Sequence, residues 1–277
     1  MLPPIETIGR SVAGALAEDV GSGDLTAQLI PADKTASAYV ISREQAIMCG
    51  AAWFEQCFRQ VDPGIKIEWL AVDGDPIQPN QWLCTIAGNA RAMLTAERCA
   101  LNFLQTLSAT ATQTRRYVDA VNSTRAQVMD TRKTLPGLRL AQKYAVTIGG
   151  GFNQRVGLFD GILIKENHIA AAGGISQALA AAAAFNPGVP VQIEVENLAE
   201  LQAALAAGAT LILLDNFSIE QLQEAVTICA GRARLEASGG ITLATIRTVA
   251  ETGVDRISIG SLTKDVNAID FSMRFES

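Results

Sequence analysis

Apolar residues in the first ninety positions of the chain follow two different periods. Residues 4–19 place apolar side chains along one face of a helix, at Ile5, Ile8, Val12 and Leu16. A second helix is predicted over Ala51–Gln60. Between turns rich in Asp, Pro and Gly lie three segments of strand character, Ala38–Ser42, Ile65–Val72 and Trp82–Ile86. This part of the sequence predicts an α+β domain built on antiparallel strands.

A long helical pattern follows, from about Ala92 to Asn122, with leucines among its apolar anchors. We expect this helix to cross from one domain to the next. The predicted domains are residues 1–107, joined by the C-terminal residues 268–277, and residues 108–267.

Beyond residue 125 the pattern changes to short apolar runs that end in polar or charged residues. They recur at intervals of roughly 20 to 34 residues, the length of one strand, one helix and two loops, which indicates a parallel sheet. The predicted strands are Val128–Met129, Gly161–Ile164, Val191–Ile193, Leu211–Leu214, Ala233–Leu235 and Arg256–Ile259.

Six such units fit either an open doubly wound sheet or a closed or partly closed barrel. In an open dinucleotide-binding sheet the glycines concentrate after the first strand, and no GxGxxG motif occurs there. In a βα barrel the residues for chemistry come from the carboxyl ends of several strands. Every run in this chain ends in residues of that kind, so the sequence favours the barrel.

The composition is typical of a folded protein. Of the 277 residues, 49% are hydrophobic and 18% are charged, which excludes a disordered chain. No run of large apolar residues reaches the length of a membrane span, and the first residues show no secretory signal. We therefore expect a cytoplasmic protein without a membrane partner.

Charge and cysteine usage narrow the function classes further. The net charge of −6 argues against a nucleic-acid-binding protein, which would carry a basic face. The five cysteines are scattered without a CxxC pair, and His168 is the single histidine, so a zinc site is not expected. Reduced, buried thiols are the interpretation that fits this spacing.

The ends of the predicted strands collect cations that suit anionic ligands. They are Arg132, Lys133, Arg155 and Lys165. Because these cations flank apolar strands and a glycine run, we expect them to converge on a polyanion, with a solvated basic loop as the alternative. A lysine that directly follows an apolar strand, as Lys165 does, binds an anion or, when desolvated, forms a Schiff base.

Carboxylates and glycine-rich loops occupy the remaining strand ends. Glu194 and Asp215 suit a Mg²⁺ ion that keeps part of its water, or ribose hydroxyls, unless each caps the following helix. Ser238-Gly239-Gly240 and Gly260-Ser261 suit a phosphate bound by backbone N–H groups, unless they are simple turns. Together the strand ends predict a site for two anionic ligands, one of them a phosphorylated sugar with a metal.

Motifs along the chain resemble those of quinolinate phosphoribosyltransferases. They include Asp130–Arg139 (DTRKTLPGLR), Leu163–His168 (LIKENH), Glu194–Asn197 (EVEN), Leu214–Phe217 (LDNF) and Glu236–Gly240 (EASGG). The resemblance runs from about residue 10 to the C-terminus. The first two blocks, in this order and at this separation, are highly specific to that family.

The resemblance implies an α/β protein with an N-terminal open α/β sandwich plus an incomplete parallel α/β (TIM-like) barrel, assembled as a homodimer. It implies an enzyme that converts quinolinate and phosphoribosyl pyrophosphate to nicotinate mononucleotide, pyrophosphate and CO₂ in de novo NAD synthesis. Mg²⁺ would accompany phosphoribosyl pyrophosphate. No organic cofactor is expected, because the pyridinium nitrogen formed in the reaction is itself the electron sink for decarboxylation.

The resemblance also implies roles for individual residues. The residues expected to bind quinolinate are Thr131, Arg132, Gln154, Arg155 and Lys165, with Arg98 of the partner subunit. Those expected to bind phosphoribosyl pyrophosphate are Lys133, His168, Glu194, Asp215, Ser238, Gly239, Gly240, Gly260, Ser261 and Lys264. The expected catalytic set is Lys133, Lys165, Glu194 and Asp215, and its two carboxylates are the expected metal ligands.

Two positions depart from the family's pattern. The family usually has Asn-His-Arg after the glycine run, whereas this chain has Asn153-Gln154-Arg155. Gln154 keeps an N–H donor but cannot become cationic, so any role of that histidine in balancing the charge of the dicarboxylate is lost or taken over. Lys264 stands where some relatives carry histidine, and it preserves a cation.

The sequence leaves three other functions open. A related phosphoribosyltransferase would use nicotinate or another carboxylated base, although Arg132, Arg155 and Arg98 together favour a dicarboxylate. A barrel aldolase would use Lys165 as its Schiff-base lysine. A phosphosugar-binding protein would have kept the site and lost the activity, and Gln154 is the reason to consider it.

Overall fold

The structure, a computed structural model, describes residues 1–185 and 188–276. In chain order, its first elements are α1 (Ile5–Val20), a 3-10 turn (Ala27–Leu29), β1 (Thr35–Ser42), β2 (Ala46–Ile47), α2 (Ala51–Val61), β3 (Lys66–Trp69), β4 (Pro76–Ile77), β5 (Trp82–Asn89) and α3 (Ala90–Ala120). The elements that follow are β6 (Gln127–Met129), α4 (Arg139–Ile148), β7 (Ile162–Ile164), α5 (Glu166–Ala172), α6 (Ile175–Phe185), β8 (Val191–Val195), α7 (Leu198–Ala206), β9 (Leu211–Asp215), α8 (Ile219–Cys229), β10 (Arg234–Ser238), α9 (Ile246–Glu251), β11 (Arg256–Ser258), α10 (Ser261–Lys264) and β12 (Phe271–Phe275).

The helices and strands predicted from the hydrophobic pattern are all present. Helices α1 and α2 begin and end within one residue of their predicted bounds, and each apolar run beyond residue 125 forms a strand. Strand β3 is shorter than the predicted Ile65–Val72. The N–H groups of Leu70 and Ala71 both donate to the carbonyl of Leu83, which ends the regular ladder after Trp69.

The first of two compact units consists of Met1–Arg115, Thr134–Gly150 and Leu262–Ser277. Antiparallel strands within its described residues pair in the order β12-β1-β5-β3. The register aligns Val40 with Cys84 on one side and with Met273 on the other. The buried faces of α1 and α2 contribute Val12 and Phe54 to the same apolar core as these strand residues.

Helix α4 belongs to this first unit although it follows β6 in the chain. Its Ala141 is buried in the unit's core. The hydroxyl of Tyr144 donates to Oδ2 of Asp73 over 2.8 Å, and Oδ1 of Asp73 accepts from the backbone N–H groups of Gly50 and Ala51 at the start of α2. One carboxylate therefore ties α4 to the N-terminal end of α2.

These contacts make the two units differ from the division predicted at residues 107/108 and 267/268. Residues 134–150 group with the N-terminal unit because α4 packs on its core. The boundary within α3 falls after Arg115, and the C-terminal stretch of the first unit begins at Leu262.

The second unit, Arg116–Lys133 and Gly151–Ser261, contains the parallel sheet. Its described residues form six strands in the order β6-β11-β10-β9-β8-β7. From β7 to β11 each strand pairs with the next strand in the chain, and β11 then pairs with β6. This circular order is that of a barrel, and β6 does not pair with β7 among the described residues. The predicted incomplete parallel α/β barrel is confirmed.

Two further expectations concern membranes and thiols. Among residues 1–185 and 188–276, no single helix is long and apolar enough to cross a membrane, and α5 with α6 reaches that length only across an 89° bend. All five cysteines are buried as free thiols, as their spacing predicts.

The Tyr144–Asp73 bond yields a stability prediction. We expect Tyr144→Phe to lower the free energy of unfolding by about 1–3 kcal/mol, because it removes a hydroxyl donor from Asp73, a carboxylate whose pKa burial raises. Urea unfolding at a fixed protein concentration measures the change.

Tyr39→Phe is the matched control in the same unit. Tyr39 stacks on Trp82 with ring centroids 4.1 Å apart, a contact that phenylalanine keeps. Its free energy of unfolding should stay within about 0.5 kcal/mol of the wild type. An equal loss in both variants would contradict the role assigned to the Tyr144–Asp73 bond.

Candidate active site

A cavity of about 270 Å³ lies at the carboxyl end of the parallel sheet. Other cavities of about 670, 580, 400 and 320 Å³ are larger, but each is lined by fewer ionisable groups. The lining residues of the smaller cavity all belong to the second unit, and they are Thr131, Arg132, Lys133, Gln154, Arg155, Leu163, Lys165, Glu194, Leu213, Asp215, Glu236, Ser238 and Ser258. Nine of them are residues that the sequence predicts for the site.

Strand periodicity explains why these side chains meet. Residues two apart on a strand face the same side of a sheet. The cavity takes such pairs from several strands, namely Leu163 and Lys165, Leu213 and Asp215, and Glu236 and Ser238. The register keeps the strand ends level, since Leu213 is aligned with both Glu194 and Glu236.

Four cations and three carboxylates line the cavity, which gives it a positive formal charge. Arg155 donates from Nη1 to the carbonyl of Gly161 over 3.0 Å. Burial, and then repulsion from Arg132, lowers the pKa of Arg155, while Asp160 opposes that shift. Two guanidinium groups close enough to repel each other suit a ligand with two carboxylates, because each planar fork pairs bidentately with one carboxylate.

Lys165 and Glu194 form an ion pair across the ends of β7 and β8. The ammonium Nζ of Lys165 lies 3.0 and 2.9 Å from the two carboxylate oxygens of Glu194. The side chain of Glu194 is only 10% exposed, against 43% for Lys165. A Schiff-base lysine needs a neutral amine, so this pairing favours an anion-binding ammonium over the aldolase interpretation.

The loops after β9 and β10 are joined by a hydrogen bond beside the cavity. Asn216 donates from Nδ2 to Oδ2 of Asp215 over 2.8 Å, and its backbone N–H donates to the carbonyl of Ser238 over 2.9 Å. Gly239 has φ +101°, and a Cβ there would lie 2.1 Å from Oδ1 of Asn216. Only glycine fits this turn, which brings Ser238 and Asp215 to one edge of the site.

Other predicted site residues lie outside the cavity lining. His168 accepts at Nδ1 from the backbone N–H of Lys165 over 3.1 Å, so its ring caps the first turn of α5. Gly239, Gly240, Gly260 and Ser261 are in the second unit, and the hydroxyl of Ser261 lies 3.4 Å from that of Tyr117.

Arg98 and Lys264 belong to the first unit and are exposed. Arg98 and Arg43 are among the residues lining a separate cavity of about 400 Å³ in that unit. The ammonium of Lys264 pairs with its neighbour Asp265 at 2.8 Å.

The structure adds residues that the sequence interpretation missed, Leu163, Leu213, Glu236 and Ser258. Glu236 is the chemically important one. It is fully buried, and it accepts hydrogen bonds from Nε2 of Gln154 and, over 3.0 Å, from Nε2 of Gln192. Burial raises the pKa of Glu236, while these amides, Arg256 and Ser258 oppose the shift. A signal was present, because Glu236 precedes Ser238 by two residues on one strand face.

The carboxylates at the strand ends suit one particular kind of metal site. No group of three or more Asp, Glu, His or Cys side chains within the described ranges is arranged to hold an ion. Glu194 and Asp215 offer hard oxygen ligands on paired strands. Such a donor set fits Mg²⁺ that takes its other ligands from water and substrate phosphates.

The chain matches two family models in succession. Residues 24–108 match the N-terminal domain of quinolinate phosphoribosyl transferase, and residues 110–274 match the C-terminal domain of the same enzyme family. Together the two matches cover most of the chain.

Relatives and solved structures agree with those matches. A solved nicotinate-nucleotide pyrophosphorylase from Francisella tularensis is 46% identical, with a TM-score of 0.96 over 99% of this chain and 98% of that one. A probable nicotinate-nucleotide pyrophosphorylase (carboxylating) of Bacillus subtilis is 40% identical over 92% of this chain and 89% of its own length. A chloroplastic nicotinate-nucleotide pyrophosphorylase (carboxylating) of Arabidopsis thaliana is 40% identical over 95% and 81%. The chain belongs to the quinolinate phosphoribosyltransferase family.

Proposed function

We propose that this protein transfers the phosphoribosyl group of phosphoribosyl pyrophosphate to quinolinate. The products are nicotinate mononucleotide, pyrophosphate and CO₂, a step of NAD synthesis. The observation that carries the proposal is one cavity in which four cations meet Glu194 and Asp215 at level strand ends. Family membership supplies the identity of the two substrates.

Arg132 and Arg155 are the proposed ligands of the quinolinate carboxylates. Their guanidinium groups lie close enough to repel each other, and a dicarboxylate relieves that repulsion. Thr131 and Lys165 line the same cavity and complete the ligand set within the second unit. A monocarboxylate such as nicotinate would bring one carboxylate to a pair of guanidinium groups.

Lys133, Glu194 and Asp215 are the proposed ligands of phosphoribosyl pyrophosphate, which arrives as its Mg²⁺ complex. Glu194 and Asp215 would hold the Mg²⁺ ion, which would supply further charge stabilisation for the leaving group, while Lys133 stabilises the departing pyrophosphate. Further proposed phosphate ligands within the second unit are Ser238, Gly239, Gly240, Gly260, Ser261 and His168. The ring nitrogen of quinolinate then attacks the ribose anomeric carbon as the bond to pyrophosphate breaks. When the adjacent carboxylate leaves as CO₂, the electron pair that stays on the ring carbon is stabilised by the neighbouring pyridinium nitrogen, and this carbon takes a proton from solvent to give nicotinate mononucleotide.

The first test is turnover by the purified protein. With quinolinate, phosphoribosyl pyrophosphate and Mg²⁺, we expect nicotinate mononucleotide and CO₂, both followed by mass spectrometry. Lys133→Ala and Lys165→Ala should each lower kcat/KM by about a hundredfold or more, because each removes a charge that stabilises the departing pyrophosphate or the bound carboxylates. Arg234→Ala is the control. Arg234 is an exposed cation at the amino end of β10, whereas the cavity lies at the carboxyl ends of the strands.

The other functions give different outcomes in the same assay. Product from nicotinate but not from quinolinate would identify a nicotinate-using enzyme. Binding of both substrates without product would identify a phosphosugar-binding protein. Trapping of a substrate on Lys165 by borohydride would identify an aldolase. Near-wild-type rates in both lysine variants would contradict their proposed roles.

A second prediction concerns the metal. Chelation with EDTA should abolish turnover and added Mg²⁺ should restore it. Glu194→Gln should raise the Mg²⁺ concentration required for half-maximal rate by about tenfold, because an amide oxygen is a weaker ligand for a hard cation. Glu224→Gln, at an exposed position on α8, is the control. An unchanged Mg²⁺ requirement in Glu194→Gln would contradict the metal role of this carboxylate.

We also propose a homodimer in which Arg98 of one subunit completes the site of the other. Arg98 is exposed, as an interfacial ligand of this kind must be in an isolated chain. Arg98→Ala and Lys165→Ala should each be inactive as pure proteins. After subunit exchange, about a quarter of the sites in a random mixture carry neither substitution, so activity should return.

Sedimentation of differently tagged subunits provides the control for exchange in that mixture. Exchange without recovered activity would show that Arg98 does not act on the site of a partner. A monomer in sedimentation would contradict the homodimer itself.

A cytoplasmic location is the remaining proposal. The relative from Bacillus subtilis and two plant relatives carry no organelle in their names, whereas other plant relatives are named as mitochondrial or chloroplastic. Fractionation of the source cell, with a membrane and a cytosolic marker, tests the location.

A further inference from the structure

The second unit contains a buried carboxylate and two amides that the proposed reaction does not use. Glu236 has no exposed surface, and its Oε1 accepts from Nε2 of Gln154 while its Oε2 accepts from Nε2 of Gln192 over 3.0 Å. The two amides also meet each other, with Nε2 of Gln154 3.2 Å from Oε1 of Gln192. We call Gln154, Gln192 and Glu236 the amide–carboxylate cluster.

The hydrogen bonds of the cluster occupy the donor capacity of Gln154. A side-chain amide nitrogen carries two hydrogens. Nε2 of Gln154 has two acceptors in the cluster, one on Glu236 and one on Gln192. A substrate contact through this nitrogen would break one of these bonds and leave a buried acceptor unsatisfied, which is costly.

The backbone around Gln154 is held from the other side. Its N–H donates to Oδ1 of Asp130 over 2.7 Å, and Asp130 is itself fully buried. Asp130 precedes Arg132 by two residues, and Gln154 directly precedes Arg155. The segments that carry the two arginines are therefore joined to each other and, through the side chain of Gln154, to β8 and β10.

Such support has a physical task. Repulsion from Arg132 contributes to the lowered pKa of Arg155, so the two guanidinium groups tend to separate when no anion is bound. Holding them together before the ligand arrives makes the site complementary to two adjacent carboxylates and lowers the free-energy cost of binding.

We propose that Gln154 is a positioning residue for recognition of the dicarboxylate: held by Glu236 and Gln192, it keeps Arg155 beside Arg132 without itself touching the substrate. This inference rests on the function proposed above, because it takes quinolinate as the ligand. It assigns Gln154 a different role from the direct contact that the family resemblance implies.

The surroundings of Glu236 decide how a charge at position 154 behaves. Leu213 on β9 is aligned with Glu236, Gln192 reaches it from β8, and Arg256 and Ser258 face it from β11. Arg256 favours the charged form of Glu236, and Arg132 and Arg155 line the same cavity. A second carboxylate beside the buried Glu236 would meet its like charge at close range, and we expect this repulsion to outweigh those cations, so that the two carboxylates share a proton at neutral pH.

The decisive variant is Gln154→Glu. Its shared proton keeps the hydrogen-bonded arrangement at low pH and is lost as the pH rises, after which the two carboxylates repel each other. We expect kcat/KM for quinolinate to fall by about thirtyfold or more between pH 6 and pH 9, a limb that the wild type lacks, while KM for phosphoribosyl pyrophosphate changes by less than about threefold. Gln202→Glu makes the same change at an exposed position on α7 and should keep the wild-type profile.

A neutral variant separates positioning from simple folding defects. Gln154→Ala should raise KM for quinolinate by about tenfold and leave kcat within about threefold, because the arginines lose their alignment while the pyrophosphate ligands stay in place. Gln192→Ala should also raise KM for quinolinate. The KM of the double variant for quinolinate should be about equal to that of the more affected single variant, since both changes disrupt one cluster.

Calorimetric titration with quinolinate alone follows the same effects without turnover. A wild type that binds quinolinate but makes no product would refute the proposed function, and the inference would then be judged by binding in the variants. A wild type that does not bind quinolinate would refute both. An active wild type whose Gln154→Glu variant keeps the wild-type pH profile would overturn the inference alone.

Two results decide the matter where Gln154→Glu does not fold. The inference is supported if Gln154→Ala loses about tenfold in affinity for quinolinate and keeps its KM for phosphoribosyl pyrophosphate. An additive loss in the double variant, or an equal rise of both KM values, overturns it.

Discussion

The pairing register of the parallel sheet is the constraint on which the candidate site depends. Side chains alternate faces along a strand, so a slip of one residue would turn every charged group away from the cavity. The register is held by apolar partners on the opposite face, such as Ile193 paired with Ile212 and Leu214 paired with Ala237. All four are buried. The apolar face thus fixes the geometry of a polar site in which four cations are gathered.

Charge balance in the cavity follows from that geometry. Four cations gathered for anionic substrates raise the energy of the empty site, and three carboxylates reduce it. Glu194 neutralises Lys165 directly, whereas Glu236 lies deeper and acts through amides. The buried carboxylate is tolerated because both of its oxygens accept hydrogen bonds. Substrates that carry several negative charges pair with these cations. The electrostatic energy of the cavity is therefore lower when the substrates are bound than when it is empty.

The period of the hydrophobic pattern made the fold predictable, since strands and helices alternate at regular intervals beyond residue 125. The site was predictable in part, because the interpretation took residues at and after each strand end, such as Lys165 and Asp215. It missed Glu236, which lies inside β10, although the period of two points to it. The contact between Gln154 and Glu236 spans 82 positions, and only the folded sheet brings them together. The packing of α4 on the first unit is non-local in the same way.

An uncharged amide at position 154 has consequences that reach beyond one residue. A side chain that titrated there would change the charge beside Glu236 within the range in which the substrates are fully ionised. Gln154 cannot titrate, so in the proposed arrangement it joins Asp130 and Glu236 by hydrogen bonds without adding a third ionisable group. The positive charge that attracts the dicarboxylate then comes from the arginines and lysines alone. In this chain the balance of charge over the ligand is therefore a property of how the cations are held, rather than of an additional cation at position 154.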